Sequence, residues 1–143
     1  MNNFSDSYYM NIAYKEAQKA FYKNEIPVGA VIVSNGKVIS KAHNLRDSNN
    51  IVTNHAEIIA IERANKKINN WRLIDCVIYT TLKPCRMCYE VIKESKIKEI
   101  IYSAPSRDNI NFETVICRQI EDELLIEKSI DLIKEAFSNI RNK

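Results

Sequence analysis

The sequence predicts one α/β domain in which helices cover a mixed sheet of about five strands. Its length of 143 residues lies within the usual size of a single domain. Segments rich in β-branched residues alternate with segments whose apolar residues recur at helical spacing, and such alternation is typical of βαβ units. No repeat, low-complexity tract or linker interrupts this pattern, so we treat residues 1–143 as one domain.

The first predicted elements are a helix and a β-hairpin. Apolar residues recur at helical spacing from Tyr9 to Phe21, and the helix must end before Pro27. Two β-branched segments follow at residues 28–33 and 38–40. Asn35-Gly36 separates them, and this dipeptide is the strongest short signal for a hairpin turn.

Helices and strands then alternate to the C-terminus. After a polar stretch at 44–54, the chain predicts a helix over 56–67, a strand over 75–81, a helix over 85–95 and a strand over 98–103. Residues 104–123 are harder to assign, and a fifth strand lies near either 115–120 or 123–126. A closing amphipathic helix is predicted by the spacing of Ile126, Ile130, Ile133, Phe137 and Ile140.

Composition excludes a membrane-spanning role and favours a cytoplasmic protein. No apolar run approaches the ~20 residues that span a bilayer, and residues 1–9 lack the pattern of a secretory signal. The four cysteines are therefore expected to stay reduced, and the C-x-x-C pair indicates metal or redox chemistry, while Cys76 and Cys117 need only pack. A net charge of +3 and a pI near 8.6 are compatible with a nucleic-acid partner.

Two short motifs at predicted helix starts carry the chemistry: His55-Ala56-Glu57 and Pro84-Cys85-Arg86-Met87-Cys88. Zinc binds imidazole nitrogen and thiolate sulfur, and the positive end of a helix dipole favours loss of the thiol proton. Cys85 and Cys88 lie on one helical face, so both sulfurs can reach one ion. With His55 they make three protein ligands, as in catalytic zinc sites that leave the fourth position to water.

Glu57 supplies the proton transfer that such a site needs. Zinc lowers the pKa of its water from 15.7 toward ~7, and Glu57 follows His55 closely enough to reach that water as general base and then general acid. The combination H-x-E with P-C-x-x-C is the signature of zinc deaminases that act on cytosine C4 or adenine C6. We therefore predict hydrolytic deamination of a nucleobase.

A structural zinc site is the alternative interpretation of these cysteines. It would require a fourth ligand such as Cys76, Cys117 or His43, and it would leave Glu57 and Pro84 without a role. A thioredoxin-like redox pair fits the two motifs less well. His43 could also lie at the mouth of a pocket, but we expect it to face solvent.

The chain also carries a family resemblance, over roughly its first hundred residues, in segments 25–31, 44, 55–58, 71–73 and 80–88. With these segments it resembles the cytidine deaminase-like superfamily, and most closely its bacterial tRNA-specific adenosine deaminases. The resemblance implies a three-layer α/β/α cytidine deaminase-like fold and a homodimer. It also implies deamination of a flipped-out wobble adenosine, in the anticodon loop of an arginine tRNA, to inosine.

The same resemblance implies a set of substrate contacts. Asn44 would hydrogen-bond the base edge, since an amide offers both a donor and an acceptor to a purine. The pocket would be lined by Ile26, Ala56, Leu82 and Pro84. Asn44 could instead be a turn residue, and Ile26 and Leu82 could be ordinary core residues.

Departures from the family follow the fourth strand. A glycine-containing segment in the family is replaced here by residues 102–109, which lack glycine, and Lys83 stands where the family usually has glutamate. These changes concern RNA docking rather than zinc chemistry, and the candidate phosphate contacts are Arg46, Arg86, Lys96, Lys98 and Arg107. A deaminase of a free base or nucleoside, such as guanine, cytosine or cytidine, and a noncatalytic partner subunit remain the other hypotheses.

Overall fold

Strands and helices alternate as the sequence predicts. The computed structural model describes residues 5–106 and 112–141. The elements are α1 Asp6–Tyr22, β1 Gly29–Ser34, β2 Lys37–His43, α2 Arg46–Asn49, α3 Ala56–Ile68, β3 Cys76–Leu82, α4 Arg86–Glu94, β4 Glu99–Ala104, β5 Ile116–Gln119 and α5 Glu123–Arg141.

The five strands form one mixed sheet in the order β2-β1-β3-β4-β5. β1 pairs antiparallel with both β2 and β3, whereas β3, β4 and β5 run parallel to one another. The parallel pair β3 and β4 requires a crossover, and α4 supplies it. β3 therefore lies at the centre of the sheet and ends where α4 begins.

Alternate side chains of the central strands enter two separate cores. Ile32, Ile78 and Ile100 are fully buried on the face covered by α3 and α4. Residues one position along, including Val31 and Ile101, are buried on the face covered by α1 and α5. This period of two is what a sheet buried on both faces requires, and it confirms the three-layer α/β/α arrangement.

The hairpin and the contact of α1 with β1 both depend on glycine. Asn35 and Gly36 have φ values of 49° and 80°, as a tight turn of type I′ requires. Gly29 opens β1 directly beneath α1, where a Cβ atom would overlap the carbonyl oxygen of Ala13. The absence of a side chain at Gly29 therefore sets the distance between helix and sheet.

The structure adds one element and decides between two others. The polar stretch contains the short helix α2, in which the backbone N–H groups of its second and third residues, Asp47 and Ser48, donate to the buried carboxylate of Glu25. The fifth strand is Ile116–Gln119, so the alternative at 123–126 is wrong, because those residues form the first turn of α5. Within the two described ranges, none of the helices combines the length and the apolarity needed to cross a bilayer.

Candidate active site

The N-termini of α3 and α4 meet at the end of the sheet where β3 terminates. His55 is the N-cap of α3 and Cys85 is the N-cap of α4, both in extended backbone conformations. Cys88 lies in the first turn of α4, and Glu57 lies in the first turn of α3. Because the two helices pack side by side, the two sequence motifs share one site.

His55, Cys85 and Cys88 form a cluster with the geometry of a zinc site. Nδ1 of His55 lies 3.4 Å from Sγ of Cys88 and 3.8 Å from Sγ of Cys85. A tetrahedral ion with Zn–S near 2.3 Å and Zn–N near 2.0 Å would hold nitrogen and sulfur about 3.5 Å apart. Among the described residues this is the one cluster of three or more potential ligands, and it confirms that these residues are positioned to bind the metal.

The three ligand side chains shift one another's pKa values. Hydrogen bonds from Cys88 and His55 lower the pKa of Cys85 to about 4. The hydrogen bond that Cys88 shares with Cys85, together with burial, raises the pKa of Cys88, and the interaction with Cys85 raises the pKa of His55. Two sulfurs this close repel each other as thiolates, and a divalent cation between them offsets that repulsion. The donor set therefore fits zinc.

Glu57 lies beside the ligands but is not one of them. Its side chain is 4% exposed and lines the same pocket as His55 and Cys85. Burial raises the pKa of Glu57 to about 7. A carboxyl group with a pKa near neutrality can accept and return a proton under physiological conditions, which is the property that a general base and acid needs.

The pocket in front of the cluster is lined by residues from five segments of the chain: Ile26, Val28, Asn44, Arg46, His55, Ala56, Glu57, Leu82, Lys83, Cys85 and Ser106. Four of the five predicted contact residues are therefore present. Pro84 is buried at the start of α4 and is not among the lining residues. Val28 and Ser106 were not predicted as lining residues.

Ile26 and Leu82 both pack against the hydrophobic core and line the pocket. Each is partly buried and packs against the core on the α3 and α4 face, and each also borders the pocket. Val28, which is buried in the same core, does likewise. The apolar floor of the pocket is thus continuous with the hydrophobic core, which fixes its shape.

Asn44 is a turn residue that also borders the pocket. Its Oδ1 accepts a hydrogen bond from the Arg46 amide at 3.1 Å, and its Nδ2 donates to the Ile26 carbonyl at 3.1 Å. A primary amide carries two N–H groups and two oxygen lone pairs. Among the described residues these two bonds leave one of each for a ligand.

The expectation that His43 faces solvent is wrong. His43 is 8% exposed because side chains of and beside α1 cover it: Nδ1 lies 3.0 Å from Oε1 of Glu16, and Nε2 lies 2.9 Å from Nζ of Lys23. His43, Cys76 and Cys117 all lie outside the ligand cluster, so none of them closes the site as a fourth ligand. Cys76 and Cys117 pack against the core as expected, and Arg107 lies outside the described residues.

Comparisons with known proteins agree with this geometry. Residues 4–104 match the model of the cytidine and deoxycytidylate deaminase zinc-binding region. The tRNA-specific adenosine deaminase of Aquifex aeolicus (strain VF5) is 37% identical over 94% of this chain and 95% of that relative. The tRNA-specific adenosine deaminase of Bacillus subtilis (strain 168) is 42% identical in an alignment that covers 69% of this chain and 62% of that relative. A structure from studies of A-to-I editing by tRNA:A34 deaminases aligns with a TM-score of 0.79 at 28% identity, over 88% of this chain and 99% of that one.

Proposed function

Since this chain belongs to the cytidine and deoxycytidylate deaminase zinc-binding family, we propose that it converts the wobble adenosine in the anticodon loop of an arginine tRNA to inosine. It is a zinc-dependent deaminase and therefore a hydrolase. The observation that carries the proposal is the buried carboxylate of Glu57 in one pocket with His55, Cys85 and the amide of Asn44. Relatives named tRNA-specific adenosine deaminase support the choice of substrate.

The residues of the site divide the chemistry among them. His55, Cys85 and Cys88 would hold zinc, which would supply the Lewis acidity that makes water nucleophilic near neutral pH. Glu57 would accept a proton from the attacking water and deliver it to a ring nitrogen of the base. It would then accept the proton of the hydroxyl added to the ring carbon and deliver it to the amine, whose C–N bond breaks to release ammonia. Because Glu57 is buried, with 4% of its surface exposed, contact of its carboxyl group with bulk water is limited.

The lining residues orient the base for this reaction. Asn44 presents its remaining N–H and lone pair to the edge of the purine, while Ile26, Ala56 and Leu82 contact its faces. A base in an anticodon loop is unpaired, so turning it into the pocket costs less than extracting it from a duplex. The proposed assembly is a cytoplasmic homodimer, as in the family that the sequence resembles.

Parallel assays test the substrate. Purified, zinc-loaded protein is incubated with an arginine tRNA anticodon stem-loop that carries adenosine at the wobble position, and separately with adenine, guanine, cytosine and their nucleosides. We expect inosine in the RNA and no ammonia from the small molecules. A stem-loop with guanosine at the wobble position is the matched substrate control. Ammonia from a free base or nucleoside, with the RNA unchanged, would establish the alternative activity instead.

A pair of variants on one helix tests the role of Glu57. Glu57→Gln preserves the shape of the side chain but cannot accept the proton, so we expect at least a hundredfold loss of kcat with one equivalent of zinc retained. Glu62→Gln alters an exposed glutamate on the same helix and should leave kcat unchanged. If Glu57→Gln loses its zinc, Glu57 has been assigned to the wrong role.

A further inference from the structure

A buried glutamate and a buried histidine form a hydrogen-bonded network beside the pocket, and the proposed chemistry does not use it. Glu16 in α1 is 3% exposed, and its Oε1 lies 3.0 Å from Nδ1 of His43, the last residue of β2. Lys19 donates to the other carboxylate oxygen of Glu16 at 2.6 Å, and Nζ of Lys23 lies 2.9 Å from Nε2 of His43. The network therefore joins α1 to the edge strand of the sheet.

The partners of His43 determine which nitrogen of its ring carries a proton. Burial alone would raise the pKa of Glu16, but hydrogen bonds with His43 and Lys19 outweigh it and lower that pKa, so the carboxyl group is ionised near neutral pH. An ionised carboxylate only accepts hydrogen bonds, and an ammonium only donates them. Nδ1 of His43 must therefore donate to Glu16, while Nε2 accepts from Lys23. These two bonds hold the ring as one neutral tautomer in one orientation.

The contribution of such a network lies in direction more than in stability. Replacing a buried ionic pair by apolar side chains of similar volume often leaves the free energy of unfolding unchanged. A buried network whose hydrogen bonds are all satisfied, by contrast, makes its members rigid. Gly29 pairs with His43 between β1 and β2, and a Cβ atom on Gly29 would lie 2.9 Å from the Cβ of Glu16. The backbone at Gly29 thus leaves room for Glu16 to reach His43.

The orientation of His43 bears directly on Asn44, the next residue. Successive side chains along a strand point to opposite faces of the sheet. His43 contacts α1 on one face, whereas Ala42 packs in the core on the face of α3 and α4. Asn44 follows the strand, its backbone amide donates to the Val28 carbonyl at 3.0 Å, and it lines the pocket. A rotation of the chain at His43 would therefore turn the Asn44 amide away from the pocket.

Lys23 connects the network to a second wall of the pocket. It is the C-cap of α1 and precedes Ile26 in the loop that follows this helix. Ile26 lines the pocket, and its carbonyl oxygen accepts the hydrogen bond from Nδ2 of Asn44 at 3.1 Å. The bond from Lys23 to His43 thus joins the segment that carries Ile26 to the end of β2 that precedes Asn44.

We propose that His43 is a positioning residue for deamination: Glu16 and Lys23 hold its ring in one orientation, and this orientation fixes the direction in which Asn44 presents its amide to the base. The inference rests on the proposed function, in which Asn44 contacts the edge of the base. It assigns a role to a buried polar cluster that lies outside both the metal site and the pocket.

NMR of the imidazole nitrogens tests the network without any substrate. The chain has two histidines, so labelling of histidine nitrogen gives two rings, and the signals missing from His43→Asn identify His43. We expect a proton on Nδ1 and none on Nε2 near neutral pH. The Nε2 resonance should shift in Lys23→Met but not in Lys15→Met, which removes another exposed lysine of α1. A proton on Nε2 in the wild type would overturn the network.

Steady-state kinetics on the stem-loop RNA test the positioning role. His43→Leu loses both hydrogen bonds of the ring and should raise KM about fivefold, the effect of one lost hydrogen bond to the base, with kcat within about a factor of two. His43→Asn keeps an N–H group that can donate to Glu16, so it should restore most of the wild-type KM. A fall in kcat with KM unchanged would overturn the proposed role. Zinc content and Tm, measured for every variant, identify any change that comes from unfolding.

A double-variant cycle shows whether His43 acts through Asn44. Asn44→Ala removes the amide, so His43→Leu should have no further effect on KM in that background. An equal effect of His43→Leu in both backgrounds would overturn the inference, because His43 would then act by another route.

The outcomes distinguish this inference from the proposed function. A wild type that deaminates the RNA, with additive effects of His43→Leu and Asn44→Ala, overturns the positioning role alone. A wild type that deaminates only a free base or nucleoside overturns the tRNA substrate, and the same cycle on that small molecule then decides the positioning role: a non-additive result supports it and an additive result overturns it.

Discussion

Replacing Gly29 by alanine tests the close contact between α1 and β1 from which the pocket wall extends. The added Cβ would overlap the Ala13 carbonyl oxygen and lie 2.6 Å from the Ala17 amide nitrogen and 2.9 Å from the Glu16 Cβ. Two of these three obstacles are backbone atoms of a helix, so the whole of α1 must move. Overpacking a core costs typically 1–3 kcal/mol, and we expect about 3 kcal/mol here because no side chain can rotate away. That corresponds to a fall in Tm of about 10 °C.

Urea unfolding of the zinc-loaded protein measures this change. The midpoint should fall while the m-value stays constant, which shows that stability has changed rather than the surface exposed on unfolding. Gly29 also donates its amide hydrogen to Oγ1 of the buried Thr81 at 3.0 Å, and it directly follows Val28 in the pocket. We therefore expect a raised KM for the substrate as well, with zinc retained.

Combining Gly29→Ala with Ala17→Gly provides the matched comparison. Ala17→Gly removes a side chain from α1 but none of the obstructing atoms, so it should not restore stability. Restoration would show that a side chain, not the helix backbone, limits the approach. A fall in Tm of less than about 3 °C for Gly29→Ala alone would refute the magnitude.

Three other perturbations test the metal site, the stability of the protein at acid pH and the role of α2. Dialysis against a zinc chelator should abolish deamination and lower Tm, and one equivalent of zinc should restore both. Activity that survives removal of the metal would contradict the assigned ligands. Burial alone would raise the pKa of Asp6, but hydrogen bonds from Arg118 and Tyr79 outweigh it and lower that pKa below 3.8. The stability that Asp6 contributes is therefore present above about pH 4 and is lost as the pH falls through the lowered pKa. The difference in unfolding free energy between wild type and Asp6→Asn should be constant above about pH 4 and should shrink below it. Glu25→Ala removes the carboxylate that caps α2. It should raise KM more than it lowers kcat, because Asn44 is hydrogen-bonded to the first residue of α2 while Glu57 and the ligands are not. An equal change in both constants would contradict this.

The sequence predicted those features that depend on local pattern. Helical spacing located the long helices, and the Asn35-Gly36 turn located the hairpin, since each depends on residues close together in the chain. The ligand set was predictable for a related reason. His55 and Cys85 each open a helix, and the residue types at those positions have few other shared uses.

Features that depend on distant residues were not predictable in this way. α2 is too short to show a period, and its cap, Glu25, lies on the far side of the hairpin. His43 is buried by Glu16 and Lys23, which lie before the hairpin in the sequence, whereas His43 is its last residue. Ser106 reaches the pocket from beyond β4, and its sequence neighbours give no signal of that position. In each case tertiary packing, rather than local sequence, determined the outcome.

The central position of β3 also orders the events of folding. The hairpin of β1 and β2 joins neighbours in the chain and can form within microseconds, whereas β3 must find β1 across the intervening α2 and α3. His55 precedes β3 and Cys85 follows it, so the two ligands come together only once that strand has docked. We therefore expect the complete three-ligand site to form only after β3 has docked, so that metal binding during refolding follows this long-range strand pairing.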